Sequence, residues 1–360
     1  MATIEPYQTK SGKRWRVRYR KPDRSQTDKR GFKTKRDAQL FAATVETSKA
    51  TGTYIDPTAG RVTLGELGEQ WLTTQTHLKP STLTAIKGAW TTHVKPTWGS
   101  HRVADVTRTG LTAWVADLSN RRSATVVLRC VGIVKGTLQI AVDDRIIAKN
   151  PAVNLPNLPR KKRKPHVYLT HQQVDALAQG AGPYSTVILI ACYMGLRWGE
   201  ITGLQVRDVN LLRNRIKVNR AAVRVGSTIH VGEPKTWEHR TVPIPTFLVP
   251  QIREAMKDKG DDDLLFTGLY GGYLPRARKQ SGWFRIALEK ASIDLEMTPH
   301  DMRHTAASLA VQSGAHVKAV QRMLGHASAA MTLDIYADLF DSDLDMVAEA
   351  LSVARARAVS

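Results

Sequence analysis

His300-Asp301-Met302-Arg303-His304, followed by Leu324-Gly325-His326 and by Tyr336 within Leu333-Asp334-Ile335-Tyr336-Ala337-Asp338-Leu339, is the stretch around which this chain is organised. Histidine, arginine and tyrosine recur here within 37 residues, and no cysteine or carboxylate cluster stands beside them to hold a metal. That set suits phosphoryl transfer to a tyrosine. Thr298 and Pro299 read as a helix start, which places the positive end of a helix dipole at His300. His300 and Arg303 then lie one turn apart on one face, aimed at the same phosphate. A metal pair of His300 and His304 at i, i+4 is the alternative. Arg303 between them would be repelled by a cation, and no glutamate stands where a zinc protease needs its base.

Breaking a phosphodiester without a cofactor needs a deprotonated nucleophile, fixed positive donors for the pentacovalent phosphate and a proton for the leaving oxygen. Tyr336 can be the nucleophile, but an ordinary tyrosine pKa of about 10 leaves it protonated at neutral pH, so it needs cations nearby. Two arginines would supply them and grip phosphate oxygens with planar donors. Arg303 is one. Arg197, in Gly195-Leu196-Arg197-Trp198-Gly199-Glu200 at the end of the apolar run Val187 to Met194, is the other, because a charge there is otherwise costly. Lys235, in the turn Lys235-Thr236-Trp237-Glu238, is a mobile cation able to protonate the leaving oxygen. Taken alone, Tyr336 would more often be an interface aromatic than a nucleophile.

The surroundings of these residues are basic. Lys and Arg number 53 against 32 Asp and Glu, for a net charge of +21. The excess is spread along the chain, at +8 over residues 1–60, +6 over 61–155 and +7 over 156–360. A partner that touches every segment is therefore expected, and nucleic acid fits better than a membrane surface, which needs only one basic face. No apolar run approaches the roughly 20 residues of a membrane span, and the N-terminus has no signal core, so a cytoplasmic protein is expected. Cys130 and Cys192, single residues within apolar stretches, read as buried thiols.

Taken in order, the chain reads as a multidomain protein, mainly α with small β-sheets. Residues 1–60 predict a short sheet backed by a helix. In Arg14-Trp15-Arg16-Val17-Arg18-Tyr19-Arg20, strict alternation puts Trp15, Val17 and Tyr19 on one face and Arg14, Arg16, Arg18 and Arg20 on the other, free to meet DNA. Four like charges in a row repel one another unless an anion joins them. A second strand is expected over Lys29 to Lys33, then a helix capped by Thr34 and closed near Gly52. Residues 61–150 turn helical. Thr63 and Glu66 form a capping box, Ser81 opens a second helix, and further helices run from Val106 to Leu118 and from Ala124 to Val142. Lys79, Lys87, Lys95, Arg121, Arg122 and Arg129 are available to a DNA backbone or are simply solvated. Residues 151–166 hold four prolines and the run Arg160-Lys161-Lys162-Arg163-Lys164, and read as an extended linker able to lie along phosphates through Lys161, Lys162 and Arg163. The run also looks like a nuclear localisation signal, although that would not explain the prolines.

A last domain, 167–345, opens with a Thr170–Gln173 capping box. It changes to strand period around Ile216 and Val218, Ile229 and Val231, and Val242 and Ile244, with Gly226-Ser227 as a turn. It returns to helix from about Pro275. Residues 346–360 form a C-terminal tail, part of an amphipathic helix expected to start at Ser342 and to carry Met346, Val347, Ala350 and Leu351.

The ordered set Gly195 to Glu200, the lysine hairpin, His300 to Thr305, Leu324 to His326 and Tyr336 resembles the signature of the tyrosine recombinases, also called the phage integrase family. The motifs fall within residues 165–345. The resemblance implies the catalytic fold shared with type IB topoisomerases and no cofactor. It also implies roles: Arg197 and Arg303 on the scissile phosphate, Lys235 as general acid, His300 and His326 in proton handling and phosphate contact, Tyr336 as the residue that forms a 3′-phosphotyrosine, and Glu200 in support. Met302 stands where leucine is commoner, a volume-preserving change. By the same resemblance, 61–150 corresponds to a core-binding domain that clamps DNA with the catalytic domain, and 1–60 to the arm-binding domain of the lambda-integrase branch.

That branch implies a phage or element integrase acting as a homotetramer on double-stranded core and arm attachment sites through a Holliday junction. A host DNA-bending protein and an excision factor would assist it, and the C-terminal helix would dock on a neighbouring protomer or on its own domain. A Xer-type resolvase, a type IB topoisomerase and a non-enzymatic DNA-binding regulator are the alternatives. The first two lack the extra N-terminal module, and the third has no use for six catalytic positions in order.

Overall fold

The computed structural model describes residues 2–52, 54–56, 59–161, 166–232, 239–293, 296–336, 351–353 and 355–359. About 52% of the protein is helical, with small sheets. The chain divides into two units, Met1–Arg163 and Lys164–Ser360.

The first unit begins with an antiparallel sheet, β1 (Thr3–Thr9), β2 (Gly12–Arg20) and β3 (Gln26–Phe32), in that order. The alternation of β2 works as its sequence predicts: Val17 and Tyr19 are buried and Trp15 half-buried, on the face covered by α1 (Lys35–Ala50). Thr34 caps α1 by accepting from the Asp37 N–H, and Gly52 follows its end at φ +69°. The opposite face differs from expectation. Strand β1, which the sequence reading missed, sets Glu5 directly across from Arg16. Arg16 Nη2 donates to Glu5 at 2.6 Å, and Arg18 lies 3.6 Å from the same carboxylate. The arginine row therefore carries its own anion.

A separate apolar core unites the helices that follow. They are α2 (Leu64–Thr73), α3 (Pro80–Ala89), a π-turn over Trp90–Val94 leading into α4 (Lys95–Trp98), α5 (Arg108–Arg121) and α6 (Ala124–Asp143). The Thr63–Glu66 capping box is present. Ser81 is not a cap: Lys79 takes that position and Pro80 the first helical one, where a missing N–H costs nothing. The third helix starts after Thr107, not at Val106. Helix α6 is long and apolar enough, by length and composition alone, to cross a membrane, contrary to the sequence reading; its inner face, including Val127, Cys130, Val134 and Leu138, is buried in this core. The expected linker also starts later than predicted. Ala152 and Leu155 are buried in the helical core, Arg108 donates to the carbonyl oxygens of Val153 and Asn154, and Asn157 donates to Thr112 O at 2.8 Å. Two of its prolines, Pro151 and Pro156, thus shape a packed segment. Lys162 and Arg163 lie outside the described residues.

In the second unit, α7 (His171–Gly180) is opened by the Thr170–Gln173 box, and α8 (Ser185–Met194) runs through the core with almost every side chain buried. Its apolarity all round follows from packing against α7 on one side and α12 (Pro299–Gln312) on another. After α9 (Trp198–Gly203) come five strands among the described residues, where three were expected. Strands β4 (Val209–Asn210), β5 (Arg215–Val218) and β8 (Arg240–Pro243) form one antiparallel sheet, while β6 (Ala221–Val225) and β7 (Thr228–Gly232) form a hairpin closed at Gly226, φ +61°. Helices α10 (Val249–Met256) and α11 (Trp283–Lys290) precede α12, and α13 (Val317–Leu324) and α14 (Ala329–Tyr336) follow it. The region of the expected last helix lies largely outside the described residues.

Candidate active site

Two helix ends and one strand build the site. Helix α8 stops at Gly195, whose φ of +64° turns the chain left-handed. A Cβ there would also come within 2.6 Å of Leu324 Cδ2, so the position needs glycine twice over. The turn delivers Arg197 to the N-cap of α9. Its main-chain N–H donates to Glu200 Oε2 at 2.8 Å and its Nη1 to Glu200 Oε1 at 2.9 Å. Its Nη2 donates to Gly325 O at 3.2 Å. With 20% of the side chain exposed, Arg197 can still meet a ligand.

Arg303 comes from α12, which Thr298 starts by donating from both N and Oγ1 to Asp301 Oδ2, at 2.7 and 2.6 Å. It is only 2% exposed. Its guanidinium donates through Nη1 to Gly195 O at 2.6 Å and through Nη2 to Leu324 O. Helix α13 ends at Gly325, φ +64°, and presents the consecutive carbonyls of Met323, Leu324 and Gly325 to Arg240 Nε at 3.0 Å, Arg303 Nη2 and Arg197 Nη2 respectively. The negative end of a helix dipole thus gathers three guanidiniums. His326 follows at once, held through Nδ1 to Thr332 Oγ1 at 3.0 Å and through its carbonyl by Gln321.

The electrostatics of the imidazoles report this crowding. Burial, then the charges of Arg303, Arg197, His300 and Arg240, bring the His326 pKa down to about 4. Although His300 is exposed at the surface, desolvation by the protein beneath it and then Arg303 lower its pKa too, with Arg197 adding to this and Asp301 opposing it. Both rings are neutral at pH 7 and able to accept a proton. The structure therefore brings together Arg197, Glu200, His300, Arg303 and His326 from among the residues expected from sequence. Tyr336 ends α14, ten positions after His326; its side chain and the whole of Lys235 lie outside the described residues.

Two features were not foreseen. Arg240 is a third arginine of the cluster, and its signal was available: strand alternation puts it on the same face as Val242, which is fully buried, and a charge on a buried face asks for a partner. The second is a group of possible metal ligands. The fold brings His166 to Asp301 and His304, with one ligand atom from each within 4.8 Å of the others, although the sequence had suggested no such cluster. The rings of His166 and His304 lie 3.8 Å apart at 31°, and Asp301 Oδ2 is already engaged by Thr298. His300 and His304, the pair weighed from sequence, meet edge to face at 4.8 Å.

Of the residues expected to touch DNA elsewhere, Arg14 is half-buried, Arg20 is exposed and donates to Arg24 O, and Lys161 is exposed.

The chain as a whole has known relatives. Residues 168–343 match the phage integrase family. The chain is 26% identical over 334 residues to a prophage phiRv2 integrase of Mycobacterium tuberculosis, covering 89% of this chain and 88% of that protein. It is 28% identical over 306 residues to the integrase of Mycobacterium phage L5, covering 82% and 80%. Among solved structures, the Tn1549 transposon integrase in complex with a circular intermediate DNA superposes with a TM-score of 0.68 at 22% identity, over 79% of this chain and 99% of that one. A lambda integrase tetramer bound to a Holliday junction gives 0.59 at 15% identity, over 90% and 96%. These likenesses extend over the fold of both.

Proposed function

Because this chain is a tyrosine recombinase of the phage integrase family, a site-specific DNA breaking and rejoining enzyme, we propose that Tyr336 is its nucleophile and that Arg197, Arg303, His300, His326 and Lys235 manage the charge and protons of each strand transfer. The observation that carries this assignment is the anchoring of Arg197 and Arg303 on the adjoining carbonyls of Gly325 and Leu324, with His326 next in the chain. Two guanidiniums and a neutral imidazole so fixed are a preorganised cradle for a phosphate.

In this reading the Tyr336 oxygen attacks the scissile phosphorus and the bond to the 5′-oxygen breaks. The tyrosine proton passes to a neutral imidazole, that of His300 or His326, and the leaving oxygen takes a proton from Lys235. The products are a 3′-phosphotyrosine and a free 5′-hydroxyl, so the bond energy is retained for religation to another strand. Glu200 supports Arg197 and does not react.

Beyond the chemistry, we propose that the enzyme works as a homotetramer through a Holliday junction, as the lambda integrase tetramer is seen to be bound. Residues 1–60 take arm sites and 61–150 core sites, a host DNA-bending protein and an excision factor set direction, and the protein acts in the bacterial cytoplasm. Its charge of +21 and the basic surplus in every segment support DNA contact along the whole chain.

A core-site duplex nicked just beyond the scissile phosphate tests the chemistry, since loss of the short strand traps the covalent intermediate. The wild type should give an adduct stable to denaturation, and Tyr336→Phe none. Equal adduct from both proteins would remove Tyr336 from the mechanism.

A further inference from the structure

We infer that Arg240 is a positioning residue of the strand-transfer site: it neutralises Glu200, so that the charge of Arg197 stays available to the scissile phosphate, and it ties β8 to the turn that presents His326. The inference rests on the recombinase reading above.

Four donors converge on the Glu200 carboxylate. Oε1 accepts from Arg240 Nη1 at 2.9 Å and from Arg197 Nη1 at 2.9 Å, and Oε2 from Arg240 Nη2 at 2.7 Å and from the Arg197 main-chain N–H at 2.8 Å. Arg240 thus takes both oxygens through its two terminal nitrogens, a bidentate geometry that fixes the carboxylate plane. Arg197 shares one oxygen through a single side-chain nitrogen. The Arg240 and Glu200 side chains are 7% and 1% exposed and are bound to each other, whereas that of Arg197 is 20% exposed.

Charge counting gives the consequence. One carboxylate against two guanidiniums leaves a single positive charge, carried by the only member of the trio that faces outward. Without Arg240 the buried carboxylate would turn to Arg197 alone. A second side-chain nitrogen would be drawn inward, and the pair would present no net charge to the phosphate. The acidity of Glu200 agrees: burial pushes its pKa up, but the hydrogen bonds and charge of Arg240, ahead of those of Arg197, bring it below the usual range.

The second attachment of Arg240 explains the glycine of the Leu324-Gly325-His326 turn. Nε donates to Met323 O at 3.0 Å, and a Cβ on Gly325 would come within 2.8 Å of Arg240 Cδ. Arg240 therefore lies flat under the turn, and the placement of His326 depends on it.

The test compares single-turnover adduct formation on nicked duplexes with a phosphate or a methylphosphonate at the scissile position, the latter lacking one charged oxygen. For Arg240→Met, the rate on phosphate should fall by about 100-fold, the scale of a misplaced catalytic group, while duplex affinity stays within about threefold. On methylphosphonate the loss should shrink to about tenfold or less, because a neutral centre asks less of Arg197. Arg240→Lys, which keeps the charge but cannot bind both oxygens at once, should show a smaller loss with the same dependence on substrate, and it replaces the methionine variant if that protein does not fold. An equal loss on both duplexes would reduce Arg240 to a structural part, and no loss on phosphate would overturn the inference outright. The wild-type adduct on phosphate is the control for the recombinase reading itself.

Discussion

His304 shows how a single side chain can set the behaviour of the protein with pH. It is 5% exposed and lies against the tilted ring of His166, and burial, then the neighbouring charges of His166 and His300, hold its pKa down to about 3. In the unfolded chain it should titrate near 6.5. The folded pKa is the lower one, so between these values the unfolded state binds the proton and the folded state does not. Stability owed to neutral His304 is therefore intact above about pH 6.5 and lost as pH falls toward 3. By pH 5 this amounts to about 2 kcal/mol. Denaturant midpoints at pH 7 and pH 5 measure it: His304→Gln should flatten the decline, though not abolish it, because His300 and His326 shift in the same direction. A variant as acid-sensitive as the wild type would exclude His304 as the cause. At this scale the meeting of Arg197, Glu200, His300, Arg303 and His326 was legible, since unusual residue types in order announce a shared site. For Arg240 the strand alternation signalled burial but not the partners, because Glu200 and Met323 lie 40 and 83 positions away and only the fold brings them to it.

At the scale of elements, the sequence could be read wherever a local rule decides the outcome. Thr34, Thr63 and Thr170 cap helices as expected because each can satisfy orphaned N–H groups from its own side chain. Strands β1 and β6 escaped notice for the opposite reason. Thr3–Thr9 includes a proline and alternates poorly, and Ala221–Val225 is short, so each is a strand only because a partner pairs with it. The consequence for β2 is functional. Glu5 occupies Arg16 and approaches Arg18, so part of the arginine face is already neutralised before any DNA arrives. Glu5→Gln keeps the shape and removes that charge, and should raise the affinity of the protein for non-specific duplex by about threefold at low salt, with a steeper salt dependence. If affinity and salt slope stay unchanged, this face is not where the N-terminal module meets DNA.

For the molecule as a whole, the division of labour was less legible than the chemistry, because domain limits depend on which residues share a core. Ala152 and Leu155 were read as linker from the prolines around them, yet they pack with the helices before them. The limit near residue 60 has a clearer physical basis. Val17, Tyr19, Ala38, Val45 and Tyr54 form their own apolar cluster, and the next one begins with Leu64, behind the Thr63–Glu66 box that starts α2. Removing residues 1–60 therefore takes one core away entire, together with a net charge of +8, and leaves the capping box of α2 and the arginine cluster intact. Such a truncated protein should still form the covalent adduct on a nicked core site, within about tenfold of the full chain. Recombination between complete attachment sites should fall by about 100-fold or more, because two DNA contacts joined in one chain bind far better than either alone. Integration at the full rate by residues 61–360 would end the arm-binding assignment while leaving the chemistry of Tyr336 untouched, since adduct formation tests that separately.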